Sequence, residues 1–313
     1  MPQKFLVTGA TGAQGGATAR ELLNHGAKVH ALVRNTSSPA AQALQSLGAI
    51  LFQGDFSSLP AISAAMKGVT GVFLNTYPSF TDPAGEILQA QNLVSAALAV
   101  GTITIFVVST VYKASEQAEL IAAKKNEYPF LNYYYERKAG VEKVVREAGF
   151  ENWTVLRPDW LDYNYLAPGC AIHFPEYQKE HVLTVSYDRA FKQKHFDPYD
   201  VGKFAAAALL RPEGFNGHVI ELTGEPLAFD EIAECLSEVS GVQVRARFRT
   251  EEETAELLAS KTLPVLERQL WAREFSLEYD PNALDKYGIK LGTLTEYLER
   301  ERGKLLKTLG VDG

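Results

Sequence analysis

Over the first half of the chain, short runs of apolar and β-branched residues alternate with stretches whose apolar positions recur at helical spacing. The alternation predicts strands at 4–7, 29–33, 50–53, 71–74, 103–108 and 153–156, and helices at 15–24, 39–47, 59–66, 86–100 and 134–148. Such a rhythm builds a parallel sheet with right-handed crossovers and helices on both faces. After Arg157 it breaks. Residues 159–198 are rich in Tyr, Phe, Pro and His without a sustained period, as in a functional loop region or small lid. A helix at 201–210 and a strand at 218–222 return to the main sheet. From Ala228 helices dominate, ending in a charged amphipathic stretch at 294–309. The expected fold is α/β: a Rossmann-type doubly wound parallel sheet over 1–158, completed by about 195–224. A smaller, mainly helical C-terminal substrate-binding region covers 159–194 and 225–313.

Composition narrows the chemistry. A chain of 313 residues, 46% of them hydrophobic, buries a large core. A formal charge of −7 argues against a binder of nucleic-acid backbones, which needs clustered Lys and Arg. Cys170 and Cys235 lie far apart and without metal-ligand spacing, and His173, His181 and His195 share none either. No metal is expected. No apolar run reaches the roughly 18 residues a membrane span needs and no tripartite leader opens the chain, so a cytoplasmic location is expected.

"FLVTGATGAQGGATARELLNHG" places Gly9, Gly12 and Gly15 directly after a strand and at the opening of a helix. That context marks a dinucleotide site. Gly9 permits the tight turn, Gly12 lets the backbone approach a pyrophosphate, and Gly15 brings helix and sheet together. With Thr11, Ala13 and Gln14 they form the phosphate-binding loop, whose helix N-terminus offers amides and a positive dipole end. The end of the second strand, "HALVRNTSS", carries Arg34 and no carboxylate, which favours the 2′-phosphate of NADP(H); the alternative is an exposed Arg ending a strand. In "QGDFSS", Asp55 and Phe56 stand where they flank an adenine, and Asp55 equally suits the cap of the next helix. Asn75, Thr76 and Tyr77 end the fourth strand, along the nicotinamide ribose or simply terminating the strand.

"VTGATGAQGG", "ALVR", "GDF", "VLRPDWLDYNYL" and "FDPYDVGKFAAAAL", in this order, resemble the NmrA-like branch of the atypical short-chain dehydrogenase/reductase superfamily over residues 4–245. The resemblance implies NADP(H) binding by a Rossmann domain. It leaves two activities open, since the branch holds both oxidoreductases and redox-sensing regulators that bind a nucleotide and a protein partner without turnover. For the enzymes it also implies a tailoring step in specialised metabolism.

A proton donor beside the nicotinamide separates the two. "YYYERKAGVEKVV" supplies Tyr134 and Lys138 four residues apart on one helix face, where short-chain dehydrogenases carry their Tyr-x-x-x-Lys pair. Tyr134 would protonate the accepting oxygen, Lys138 would lower the phenol pKa, and the resemblance places Lys138 on the nicotinamide ribose. The other reading is an aromatic patch at a helix start and a solvated lysine. A second such pair, Tyr199 and Lys203, falls in "DPYDVGK" and is read as incidental. Ser109 and Thr110 are equal candidates for the hydroxyl that steadies the substrate oxygen. Trp160, Tyr163 and Phe174 are candidate walls for a hydrophobic small molecule, and Asn164, at the family's "RP…N" position, a loop-orienting residue. Arg245, Arg247 and Arg249 in "VRARFR" share one strand face, read as a solvent-facing edge.

Overall fold

The structure is a computed structural model and describes residues 3–78, 82, 85–275 and 278–311. Its strands are β1 (Lys4–Val7), β2 (Lys28–Val33), β3 (Ile50–Gln53), β4 (Gly71–Asn75), β5 (Ile105–Ser109), β6 (Asn152–Pro158), β7 (Trp160–Leu161), β8 (Val182–Val185), β9 (Lys192–Phe196), β10 (His218–Leu222), β11 (Pro226–Ala228) and β12 (Arg245–Phe248). In the first half the helices are α1 (Ala13–Asn24), α2 (Pro39–Ser46), α3 (Leu59–Ala65), α4 (Gly85–Val100), α5 (Ala114–Ala122) and α6 (Pro129–Arg146). The second half adds α7 (Cys170–His173), α8 (Tyr177–Glu180), α9 (Pro198–Leu210), α10 (Phe229–Ser240), α11 (Glu251–Ser260), α12 (Leu266–Glu274), α13 (Leu294–Arg300) and α14 (Arg302–Thr308).

Seven strands form one sheet in the order β10-β6-β5-β4-β1-β2-β3, every neighbouring pair parallel. The order reverses beside β1, so β1 and β4 splay their connections to opposite sides and open a crevice at their carboxyl ends. Alternation along each strand assigns side chains to two cores. Phe5, Val7, Phe73 and Val107 pack with Leu22 and Phe204 on one face. Leu6, Val72, Leu74, Phe106 and Val108 pack with Leu93 and Val141 on the other. Both faces are covered, which is why these strands read as continuous apolar runs.

The expected elements of this half are present with shifted ends. Helix α6 begins at Pro129 rather than at residue 134, because proline suits the first helical position, where its missing N–H has no partner to lose. The C-terminal lobe is less helical than its periodicity implied: β11-β9-β7 form a small sheet, and β12 pairs with β8. Strands this short, paired with partners far away in sequence, carry little periodic signal. The stretch 294–309 is two helices that part at Glu301. The arginine face of β12 is partly absorbed: Arg247 pairs with Glu253, and Arg249, its side chain 6% exposed, lies 3.7 Å from Glu176. The Tyr199–Lys203 pair sits at a structural joint, where Tyr199 donates to Glu301 at 3.1 Å and Lys203 pairs with Asp200 at 2.6 Å.

Asp162, just after β7, is 1% exposed, and its Oδ1 finds no partner among the described residues. Burial, then the carboxylates of Asp197, Glu225 and Asp200, push its pKa well above the usual range, against the opposing pull of Arg300. A group whose folded pKa is raised binds a proton more tightly in the native state, so stability is lost as pH rises through that folded value. Asp162→Asn should therefore raise the thermal midpoint at pH 7–8 by about 2–4 °C per kcal/mol relieved. The gain should vanish near pH 4, as read by thermal denaturation across that range.

Candidate active site

The glycine turn is built for close approach. Gly9 has φ of 60°, a left-handed conformation, and a Cβ at Gly15 would stand 2.5 Å from the Thr8 carbonyl oxygen. The turn closes with Gly12 N–H donating to the Gly9 carbonyl at 2.8 Å. Helix α1 then starts at Ala13 with no side-chain cap and no acidic residue in its first turn, while Thr11, Gly12 and Ala13 are exposed. Its first amides face outward unpaired by any side chain, so the turn fits a pyrophosphate.

The neighbouring strand ends are tied to this turn. Thr8 Oγ1 donates to the Phe73 carbonyl at 3.2 Å and accepts the Asn75 amide at 3.0 Å. Asn75 therefore lies against Gly9, its carbonyl oxygen 3.7 Å from where a Cβ there would stand. Ser109, 1% exposed, donates to Gln14 Oε1 at 2.6 Å, joining β5 to the first turn of α1. Arg34 is exposed past β2. The Asp55 carboxylate accepts from Ser57 N–H at 2.9 Å, Ser57 Oγ at 2.6 Å and Ser58 N–H at 3.1 Å, and these bonds hold its pKa down. It closes the turn before α3, while the half-buried Phe56 packs on the sheet's second core.

The next link was not foreseen. Glu86, in the first turn of α4 and 2% exposed, holds Lys138 Nζ at 2.5 Å and accepts from Thr76 Oγ1 at 2.6 Å. Thr76 and Lys138 are each 4% exposed, so the alternative of a solvated lysine gives way to a buried ion pair. Tyr134, one turn before Lys138, is half-buried, stacks on Phe130 and meets Tyr135 edge-on, with the ammonium 5.5 Å from its ring centroid. Burial first, then Glu86 and Tyr163, push its phenol above the ordinary range, with Arg268 opposing. This runs against the sequence expectation of a lowered phenol pKa, because burial dominates and the negative charge of Glu86 adds to it. A Glu in the first turn of an apolar helix reads as an ordinary dipole partner, which is why sequence reasoning passed it over.

Thr110 belongs to another network. Its hydroxyl donates to Glu142 Oε1 at 2.6 Å, and Glu142 takes a bidentate pair from Arg157 Nε and Nη2 at 2.9 and 2.7 Å. Arg157 also bonds Glu116 and Glu221, each at 2.8 Å. Of the two hydroxyl candidates, Ser109 is the one tied to the glycine turn. Tyr77, 73% exposed and held through its backbone by Gln89, and Tyr163, 36% exposed, are electrostatic neighbours at the mouth of the crevice, and Tyr163 also feels Lys138. Asn164 is half-buried. Phe174, 1% exposed, stacks on Tyr165 inside the core of the C-terminal lobe, so it supports the wall rather than lining it. Trp160 is 7% exposed beside His173 and Arg268.

The NmrA-like family pattern matches residues 1–291. The chain belongs to the NmrA-like family. Among curated members, the NmrA-like family domain-containing oxidoreductase notA of Aspergillus sp. (strain MF297-2) is 30% identical over 74% of this chain and 70% of its own. FrzB of Cladobotryum sp., an oxidoreductase of the same description, is 29% identical over 76% of this chain and 74% of its own. In three dimensions the chain resembles the NADPH-dependent quinone oxidoreductase QOR2 of Escherichia coli in complex with NADPH, with a TM-score of 0.73 at 23% identity over 95% of this chain and 99% of that one. At those levels of identity the structural likeness speaks for the Rossmann-type fold.

Breaking a buried ion pair leaves an uncompensated charge that costs about 3–5 kcal/mol. Glu86→Gln should lower the unfolding free energy by roughly that amount, and Glu86→Gln/Lys138→Met should recover part of it. Urea unfolding of the three proteins checks this; an additive double variant would mean the two side chains do not interact.

Proposed function

We propose that this member of the NmrA-like family is an NADP(H)-dependent oxidoreductase that reduces a carbonyl or conjugated double bond of a hydrophobic small molecule. The observation that carries the reading is the uncapped glycine turn at the sheet's crevice, with Lys138 and Tyr134 presented together on α6. The names of the curated relatives, all oxidoreductases among those cited, support it. Bound there, NADPH supplies the hydride. The amides of Thr11 and Ala13 in the exposed turn and the dipole of α1 would hold its phosphates, and Arg34 would take the 2′-phosphate. Lys138 would hold the nicotinamide ribose while keeping its pair with Glu86. Tyr134 keeps its proton across neutral pH and gives it up only to an oxygen made basic when the substrate carbon accepts the hydride and the carbonyl electron pair moves onto that oxygen. Solvent then reprotonates the phenolate.

Tyr134→Phe should leave NADPH affinity within about twofold and slow reduction by roughly 100-fold or more, as measured by NADPH oxidation at 340 nm. Equal rates would remove Tyr134 from the mechanism. Arg34→Ala should weaken NADPH by roughly 10- to 100-fold and leave NADH nearly unchanged, because a charge-assisted bond to the 2′-phosphate is worth about 1.5–3 kcal/mol. Titration of both nucleotides by fluorescence reads the difference. NADPH that binds without being consumed by any carbonyl acceptor would instead favour a nucleotide-sensing regulator with a protein partner.

A further inference from the structure

Nucleotide binding leaves one group of polar side chains unexplained, on the wall contributed by the C-terminal lobe. Arg268, on α12, spends both N–H groups of Nη1 on the Tyr187 hydroxyl and on Gln193 Oε1 at 3.0 Å. One N–H of Nη2 goes to Asp159 Oδ1 at 3.4 Å. Its Nε and the second Nη2 N–H have no acceptor among the described residues, and its side chain is 27% exposed. The guanidinium carbon lies 5.1 Å from the ring centroid of Trp160. That indole is 7% exposed, and its Nε1, which can only donate, also lacks an acceptor among the described residues. A buried donor without a partner costs about 1–3 kcal/mol, so the Trp160 Nε1 calls for an explanation.

The surroundings are short of acceptors and rich in positive charge. Asp159 serves both Arg268 and Lys194, the latter at 3.4 Å, so two cations share one carboxylate. His173 stands 4.6 Å from the Trp160 ring; burial and then Arg268 press its pKa down to about 4, so it adds no charge at neutral pH. Tyr134 lies within the field of the same guanidinium, and its hydroxyl makes no hydrogen bond among the described residues. Through Leu270 and Trp271 the helix that carries Arg268 shares one apolar cluster with Tyr134 and Tyr135, so these donors and aromatic faces lie near the phenol of the proposed chemistry.

We propose that Arg268 and Trp160 bind the acceptor oxygen of the substrate, which makes a planar conjugated carbonyl compound, an enone or a quinone, the substrate class. The inference rests on the oxidoreductase reading above. In an enone, a C–H bond forms at the β-carbon as NADPH is oxidised to NADP+, the alkene π pair moves to a new bond beside the carbonyl carbon, and the carbonyl pair settles on oxygen. Arg268 meets that negative charge with a charge-assisted bond. Tyr134 protonates that oxygen, and solvent moves a proton to the α-carbon as the enol returns to the carbonyl, which completes the two-electron reduction of the alkene.

The test uses binding, so it does not depend on turnover. 2-Hydroxy-1,4-naphthoquinone, an anion at pH 7, and neutral 2-methyl-1,4-naphthoquinone are titrated into the full chain by calorimetry, with and without NADP+. The wild-type protein should prefer the anion by at least roughly tenfold, and Arg268→Met should reduce that preference to about twofold or less. Arg268→Lys should fall between, keeping the charge and losing the fork. NADP+ affinity should stay the same throughout. A wild-type protein without the preference, or an Arg268→Met protein that folds and retains it, overturns the proposal. A purely structural Arg268 would lower the melting temperature and leave the anion preference intact. If NADP+ fails to bind while the Arg268-dependent preference persists, the oxidoreductase reading falls and the oxygen-binding pocket stands.

Discussion

Backbone-to-backbone contact along α1 is the constraint on which the architecture turns. On one side the helix meets the strand end so closely that Gly15 has no room for a side chain against Thr8 and Gly9. On the other, a Cβ at Gly202 of α9 would come within 2.6 Å of the Ala17 carbonyl carbon. Two glycines 187 positions apart thereby draw the turn, α1 and α9 into one stack; the separation is the difference between the residue numbers 202 and 15. Beside this contact the first turn of α1 carries no side-chain cap.

Around that stack, buried charge organises the crevice. Glu86 gathers Lys138 and Thr76, joining α4, α6 and the end of β4, while Glu142 and Arg157 gather Thr110 beside β6. These networks sit at the carboxyl ends of the sheet strands, where a Rossmann-type sheet binds its ligands. They differ in what they can release. Arg157 has three carboxylate partners and no reason to move. Among the described residues Lys138 has one, Glu86, whose charge adds to burial in raising the Tyr134 phenol.

The C-terminal lobe supplies the other wall. Its core stacks Tyr165, Phe174, Tyr187 and Phe229, and it reaches back through α12 to α6 and the end of β6. Most of the aromatic residues after β6, Trp160 included, are consumed in that core, while Tyr163 stays 36% exposed.

The sequence by itself determined the parallel sheet, the position of the glycine turn and the presence of Tyr134 and Lys138 on one helix. Each follows from contacts between residues near in sequence: strand alternation, helical spacing, and the local need for a residue without a side chain. Tertiary structure alone decided which side chains pair. Glu86 lies 52 positions from Lys138, Gln14 lies 95 from Ser109, and Arg268 lies 109 from Asp159. Such pairings depend on which helix crosses which strand end, and a carboxylate or guanidinium in one sequence carries no mark of its distant partner. That is why the phenol's tuning and the fate of Phe174 were misread while the fold was legible.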